Sequence, residues 1–183
     1  LFRSLSGYFI ANSPEAALEI ARHATEKGKI VVLTFSAPYI CQFNKNTLLQ
    51  ILQFVDYVFA TEEQLLTFCR ETNYCKSADE EELDSCAQAV ARMPKVNSAR
   101  KRIVIAQSGN TACLVGRGYN KTRYFMGTTE TLQDPSNLKG QDAFDAFVGG
   151  FLGEGCREGR WTVFGQFLGR FQLYCSIVFG ICS

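Results

Sequence analysis

Short continuous apolar runs alternate along this chain with longer stretches whose apolar residues recur at helical spacing. The run at 30–33, Ile-Val-Val-Leu, shows no polar alternation, the pattern of a strand buried on both faces of a parallel sheet. Similar runs fall at 57–59 and 103–105, and Tyr8, Phe9 and Ile10 predict another short strand near the start. Between the first two runs, Ala17, Ile20, Ala21 and Ala24 share one helical face. Ser13 and Pro14 supply a capping hydroxyl and a first-turn proline, Glu15 suits the positive end of the dipole, and Gly28 closes the helix. Strand, helix, strand in that order argues for a right-handed crossover. The loop Ser36-Ala37-Pro38 then lies at a strand's carboxyl end, where ligands of open α/β sheets bind. Further helices are expected over 47–54, 62–70 and 80–92, the last stopped by Met93-Pro94. Gln107, Ser108, Gly109 and Asn110 read as a polar turn, and 112–115 with 123–126 as a hairpin around the turn-rich stretch 116–120.

The stretch from Gly140 to Leu152 carries the strongest candidate chemistry. A loop with carboxylates at Asp142 and Asp145 runs into a helix over 146–152. A helix N-terminus presents unpaired N–H groups and a positive dipole end, so it suits a phosphate. Asp145 stands where it could take a proton from a hydroxyl attacking that phosphate. The plainer reading is that Asp145 is an N-cap on a buried helix. Spacing alone leaves both open.

Composition narrows the class. With 183 residues, 46% hydrophobic and 20% charged, and a formal charge of +1, the chain suits one soluble globular domain over 1–183 and no nucleic-acid partner. Arg100-Lys101-Arg102 is a compact basic run and reads as a solvated strand edge. The eight cysteines form no C-x-x-C pair, and His23 is the sole histidine, so spacing assembles no zinc site. Cysteines inside apolar runs read as buried free thiols, which implies a reducing compartment, cytoplasmic or nuclear. No signal peptide is read at the N-terminus, so the Asn120-Lys121-Thr122 sequon is expected to stay unmodified. The tail from Trp161 carries one charge, Arg170. Its longest uncharged run, starting at Phe171, is shorter than the roughly 18 residues a membrane span needs. A buried terminal helix is therefore expected rather than a tail anchor.

Several motifs together resemble the adenosine kinases of the ribokinase-like family: Asp-Ala-Phe-Val-Gly-Gly-Phe-Leu at 145–152, Leu-Thr-Phe-Ser-Ala-Pro-Tyr-Ile-Cys-Gln-Phe at 33–43, and Asn-Ser-Ala-Arg-Lys-Arg-Ile-Val-Ile at 97–105. Ser13-Pro14-Glu15 and the segment from Val55 to Arg70 match in order and spacing. The likeness runs from about Gly7 to Leu152 and fades from residue 153 onward. It implies a three-layer α/β/α sandwich with a mainly parallel sheet, represented here without the family's N-terminal strands and lid. It also implies phosphoryl transfer from ATP, with Mg2+, to the 5′-hydroxyl of adenosine, giving AMP in purine salvage. Asp145 matches the base toward that hydroxyl, and Gln107, Ser108 and Gly109 match a turn near the nucleotide.

Two motifs depart from the family pattern. The anion hole before the aspartate reads Gly-Ala-Gly in the family and Asp142, Ala143, Phe144 here. Glycines allow close backbone approach to phosphate, whereas Asp142 adds negative charge and Phe144 adds bulk. In the family's Asn-x-x-Glu motif the acid organises Mg2+ and phosphate; this chain has Thr61-Glu62-Glu63-Gln64. Gln64 offers an oxygen without charge, and Glu63, about 100° round the helix, could substitute imperfectly. Two expectations follow: an adenosine kinase with impaired chemistry, or a non-catalytic relative that binds nucleotide or a partner.

Overall fold

The computed structural model describes residues 2–74, 83–108, 111–116, 121–125, 148, 149 and 152, with 111–116 and 121–125 traced as backbone. Compact units divide the chain at Tyr124 and Phe125. In the first unit, β1 (Phe2–Ser6), β2 (Ile30–Thr34), β3 (Tyr57–Thr61) and β4 (Ile103–Ser108) run parallel in sequence order. β5 (Thr111–Gly116) pairs antiparallel with β4, and β6 (Lys121–Phe125) lies beyond it. Helices α1 (Gly7–Asn12), α2 (Pro14–Glu26), α3 (Pro38–Phe43), α4 (Lys45–Leu52), α5 (Glu62–Thr72) and α6 (Leu83–Arg92) fill the crossovers. Val148, Gly149 and Leu152, in the second unit, are helical, and buried Val148 and Leu152 are one turn apart, as expected for a helix over 146–152.

The continuous apolar runs are explained by burial on both sides. Val31, Leu33, Val58, Ala60, Val104 and Ala106 point into one core with the helices. Their neighbours Val32, Phe59 and Ile105, on the opposite face by strand alternation, are equally inaccessible. Both faces of β2, β3 and β4 are therefore covered, as in a layered α/β sandwich. On the helical side, Ala17, Ala21 and Ala24 bring α2 close to the sheet, while Ile20 is 37% exposed. The Phe35 and Phe68 rings meet tilted, at 4.9 Å and 43°, an aromatic contact worth about 1 kcal/mol beyond its area.

Five expectations change. Tyr8, Phe9 and Ile10 belong to helix α1 and the strand precedes them. Ser6 caps this helix by accepting from Phe9 N at 3.2 Å. Gly7 approaches the Phe35 carbonyl so closely that a Cβ there would lie 2.2 Å from its oxygen, a backbone clash that excludes every other residue. Ser13 makes no side-chain cap, although Pro14 does begin α2 and Gly28, at φ +65°, ends it. Helix formation also starts earlier than 47, because Pro38 opens α3. Gln107 and Ser108 are strand residues paired with Ala112 and Thr111.

The basic run is the fifth correction. Lys101 alone is exposed, while Arg102 is fully buried. Its guanidinium has five N–H donors and reaches five carbonyls. Nε donates to Val55 at 3.3 Å, Nη1 to Val90 and Met93 at 2.8 and 3.0 Å, and Nη2 to Pro94 at 3.1 Å and to Leu52. Leu52 and Val90 lie in the last turns of α4 and α6, so one side chain serves the negative ends of two helices. Beside it, buried Asp56 accepts from Val31 N at 2.9 Å and pairs with Lys95 at 2.5 Å, with Arg100 at 3.8 Å. Burial lowers the Lys95 ammonium pKa from its ordinary value, and the Asp56 carboxylate opposes that shift.

Among the described residues Cys41, Cys69 and Cys86 are buried free thiols, and burial pushes Cys41 up to about 12. No described helix is long and apolar enough to cross a membrane.

Arg102→Lys keeps the charge but offers three donors to five carbonyls, and should cost at least about 2 kcal/mol in denaturant unfolding. A change below about 0.5 kcal/mol, the range of ordinary surface substitutions, would show that those carbonyls are satisfied without it. Tyr57 offers a pH test: burial first, and then adjacent Asp56, raises its phenol from 10.0 to about 12. The folded state thus holds the proton more tightly, and stability present below the unfolded value is lost as pH rises through the folded one. Wild type should lose stability relative to Tyr57→Phe between pH 10 and about 12, measured by urea unfolding at each pH.

Candidate functional site

All four parallel strands end their carboxyl tips on one edge of the sheet, and polar residues gather there. The register places Ser6 beside Thr34 and Thr61 beside Gln107. Ser36, just beyond β2, holds φ +68°, an uncommon left-handed conformation for a residue with a side chain. Its buried hydroxyl accepts from Gly7 N at 2.9 Å and lies 3.5 Å from the Thr34 hydroxyl. These bonds hold the first two strand tips together where an open α/β sheet binds its ligand.

At the third tip, Thr61 and Gln64 form a reciprocal capping box. Thr61 N donates to Gln64 Oε1 at 3.1 Å, and Gln64 N donates to Thr61 Oγ1 at 3.4 Å. Gln64 is buried, at 3% exposure, so its amide oxygen is occupied by the start of α5. Glu63 is exposed. Glu62, which the motif reading passed over, accepts a hydrogen bond from Ser108 Oγ across the tips of β3 and β4. Its carboxylate takes part in no ion pair among the described residues. Gln107 Oε1, on the strand face opposite to Ser108, is buried with no hydrogen-bond partner among the described residues.

The structure thus brings Gln64 onto Thr61 and Ser108 onto Glu62, and places Gln107 beside Thr61. Gly109, Asp142, Ala143, Phe144 and Asp145 lie outside the described residues. No group of three or more acidic, histidine or cysteine side chains suited to a metal occurs among the described residues. Glu62 and Ser108 offer a carboxylate and a hydroxyl at the β3 and β4 tips, hard oxygens of the kind Mg2+ takes together with phosphate and water. Glu62 carried a sequence signal only as an acid in the first turn of a helix, where the dipole favours it; its partner stands 46 positions away.

Comparison with known proteins assigns this arrangement to a family. The profile of the pfkB family carbohydrate kinases matches residues 2–154. The chain belongs to the pfkB kinase family. Within this family it is 34% identical over 152 residues to an adenosine kinase of Schizophyllum commune, which covers 83% of the chain and 43% of that relative. An Anopheles gambiae adenosine kinase, solved in complex with P1,P4-di(adenosine-5) tetraphosphate, superposes with TM-score 0.75 at 33% identity, over 86% of this chain and 44% of that one. A Schistosoma mansoni adenosine kinase in complex with 2-fluoroadenosine shares the fold, with TM-score 0.78 at 21% identity over 98% of this chain and 50% of that one. The chain thus spans about half, or less, of the length of these pfkB-type relatives. The mainly parallel sheet agrees with the ribokinase-like fold expected from the motifs.

The capping box gives Gln64 a structural duty in this pfkB kinase chain that can be measured. Gln64→Ala should lower unfolding free energy by about 1 kcal/mol, as loss of a cap does. An unchanged or higher stability, read by chemical denaturation, would contradict that duty.

Proposed function

We propose that the chain carries adenosine kinase chemistry: transfer of the terminal phosphoryl group of MgATP to the 5′-hydroxyl of adenosine, giving ADP and AMP. The observation that supports this most directly is the 34% identity to an enzyme named adenosine kinase across 83% of the chain. The polar strand tips add to it, because they offer hydroxyl and carboxylate groups where α/β sheets hold phosphates. In this reading Asp145, at the start of its helix, accepts the proton from the attacking hydroxyl. Residues 142–144 hold the family's anion-hole positions in sequence, and there Asp142 would oppose the phosphoryl charge and slow the step. Gln107, Ser108 and Gly109 lie along the nucleotide, and Mg2+ supplies charge neutralisation between the phosphates when bound. A cytoplasmic location and a single partial kinase domain over 1–183 belong to the same proposal.

A second reading is a nucleotide-binding relative without turnover. The observation favouring it is Gln64, a neutral, buried residue occupied by the capping box where the family's motif carries an acid.

Adenosine-dependent ADP formation by the purified chain, run beside Asp145→Asn, separates the two. The kinase proposal expects measurable turnover that falls roughly 10²- to 10⁴-fold in the variant. No turnover in either folded protein would contradict it and leave the binding reading.

A further inference from the structure

The packing of α5 on α6 carries chemistry that phosphoryl transfer leaves unused. Cys69 stands in the last turn of α5 and Cys86 in the first turn of α6. Both are reduced, both belong to one core cluster, and they are only 1% and 2% exposed. The two helices pack directly on each other, and the Cys69 thiol donates to the Cys86 carbonyl oxygen at 3.7 Å. A thiol that touches the other cysteine's own backbone stands a side-chain rotation and a small helix-end adjustment away from its sulfur. From this juxtaposition we propose that Cys69 and Cys86 form a reversible intrachain disulfide, a redox-sensitive staple between the end of α5 and the start of α6. The staple does not depend on the kinase reading, since neither cysteine belongs to the polar groups of the carboxyl edge.

The oxidant is a peroxide. One thiolate attacks a peroxide oxygen, the O–O bond breaks, and the sulfur becomes a sulfenic acid while the other oxygen leaves as water. The second thiolate then attacks that sulfur, the S–S bond forms, and the sulfenic oxygen leaves as a second water. Two thiols and one hydrogen peroxide thus give one disulfide and two waters, the sulfurs oxidised and the peroxide reduced. A small thiol reverses the bond by exchange, so in a reducing compartment the staple is transient. Access comes from position: helix ends open at lower free-energy cost than helix middles, and both cysteines lie in end turns. Closing a loop across 17 positions restricts the unfolded chain, so the oxidised form is the more stable one. The plainer duty of the pair is to fill the core as small apolar side chains. Space-filling thiols stay unlinked while the chain is folded, whereas the staple forms in the native state.

The test is hydrogen peroxide titration of the full folded chain, followed by alkylation of the remaining thiols, digestion without reductant and mass spectrometry of the peptides. The expected product joins the Cys69 and Cys86 peptides with the loss of two hydrogens, and glutathione returns both to thiols. Cys41, whose thiol burial pushes up to about 12, stays reduced under the same treatment and serves as the internal standard. The oxidised chain is expected to melt about 5 °C or more above the reduced one. Cys86→Ser should abolish both the linked peptide and the melting shift, and if that variant does not fold, the peptide map of wild type decides alone. Cys69 and Cys86 left as thiols, oxidised singly beyond the sulfenic acid, or joined to other cysteines would overturn the proposal. So would a Cys69–Cys86 link that forms only in denaturant.

Discussion

The Arg102 guanidinium is the interaction on which the rest of the first unit depends. A buried cation is tolerated only where every donor is satisfied, and here five carbonyls from α4, α6 and the turns after them receive it. Those carbonyls belong to segments far apart in sequence, so forming this cluster fixes where two helices end relative to β3 and β4. Asp56, Lys95 and Arg100 extend the same charged layer, with Arg100 also donating to the Gly28 and Lys29 carbonyls at 2.7 and 3.2 Å. The amino end of the sheet is closed by this network.

The opposite end is built differently. At the carboxyl tips the polar side chains are neutral hydroxyls and amides with one carboxylate, and not all are satisfied among the described residues. Two unusual features sit there: Ser36 holds a left-handed backbone, and the Gln107 side-chain oxygen has no partner among the described residues. Rigidity at one end of parallel strands lets the tips at the other end hold a ligand in fixed geometry without contributing much to stability. A kinase needs that division, because its catalysis is positioning and charge stabilisation more than covalent chemistry.

The sheet was legible in the sequence because burial on both faces writes an uninterrupted apolar run, and 30–33, 57–59 and 103–105 became β2, β3 and β4. Tyr8, Phe9 and Ile10 were misleading for a local reason. Three apolar residues fit either element, and the choice was made by the Ser6 cap and by Gly7 packing on the Phe35 carbonyl, a contact across 28 positions. Arg102 was hidden because charge type points to the surface while its carbonyl partners carry no side-chain signature. Gln64 was visible as a departure from the family motif, but its capping role appears only once Thr61 is seen at the helix start. Glu62 was hidden because its partner Ser108 lies on another strand.

The kinase proposal requires the carboxyl edge of the parallel strands to receive a magnesium nucleotide. Thermal unfolding of the chain across a range of ATP concentrations, with Mg2+ and with the metal chelated, tests it most directly. The melting temperature should climb with MgATP by mass action, equivalent to about 2.7 kcal/mol at a hundredfold excess over Kd, and climb less without the metal. A melting temperature indifferent to MgATP at millimolar concentration would contradict it.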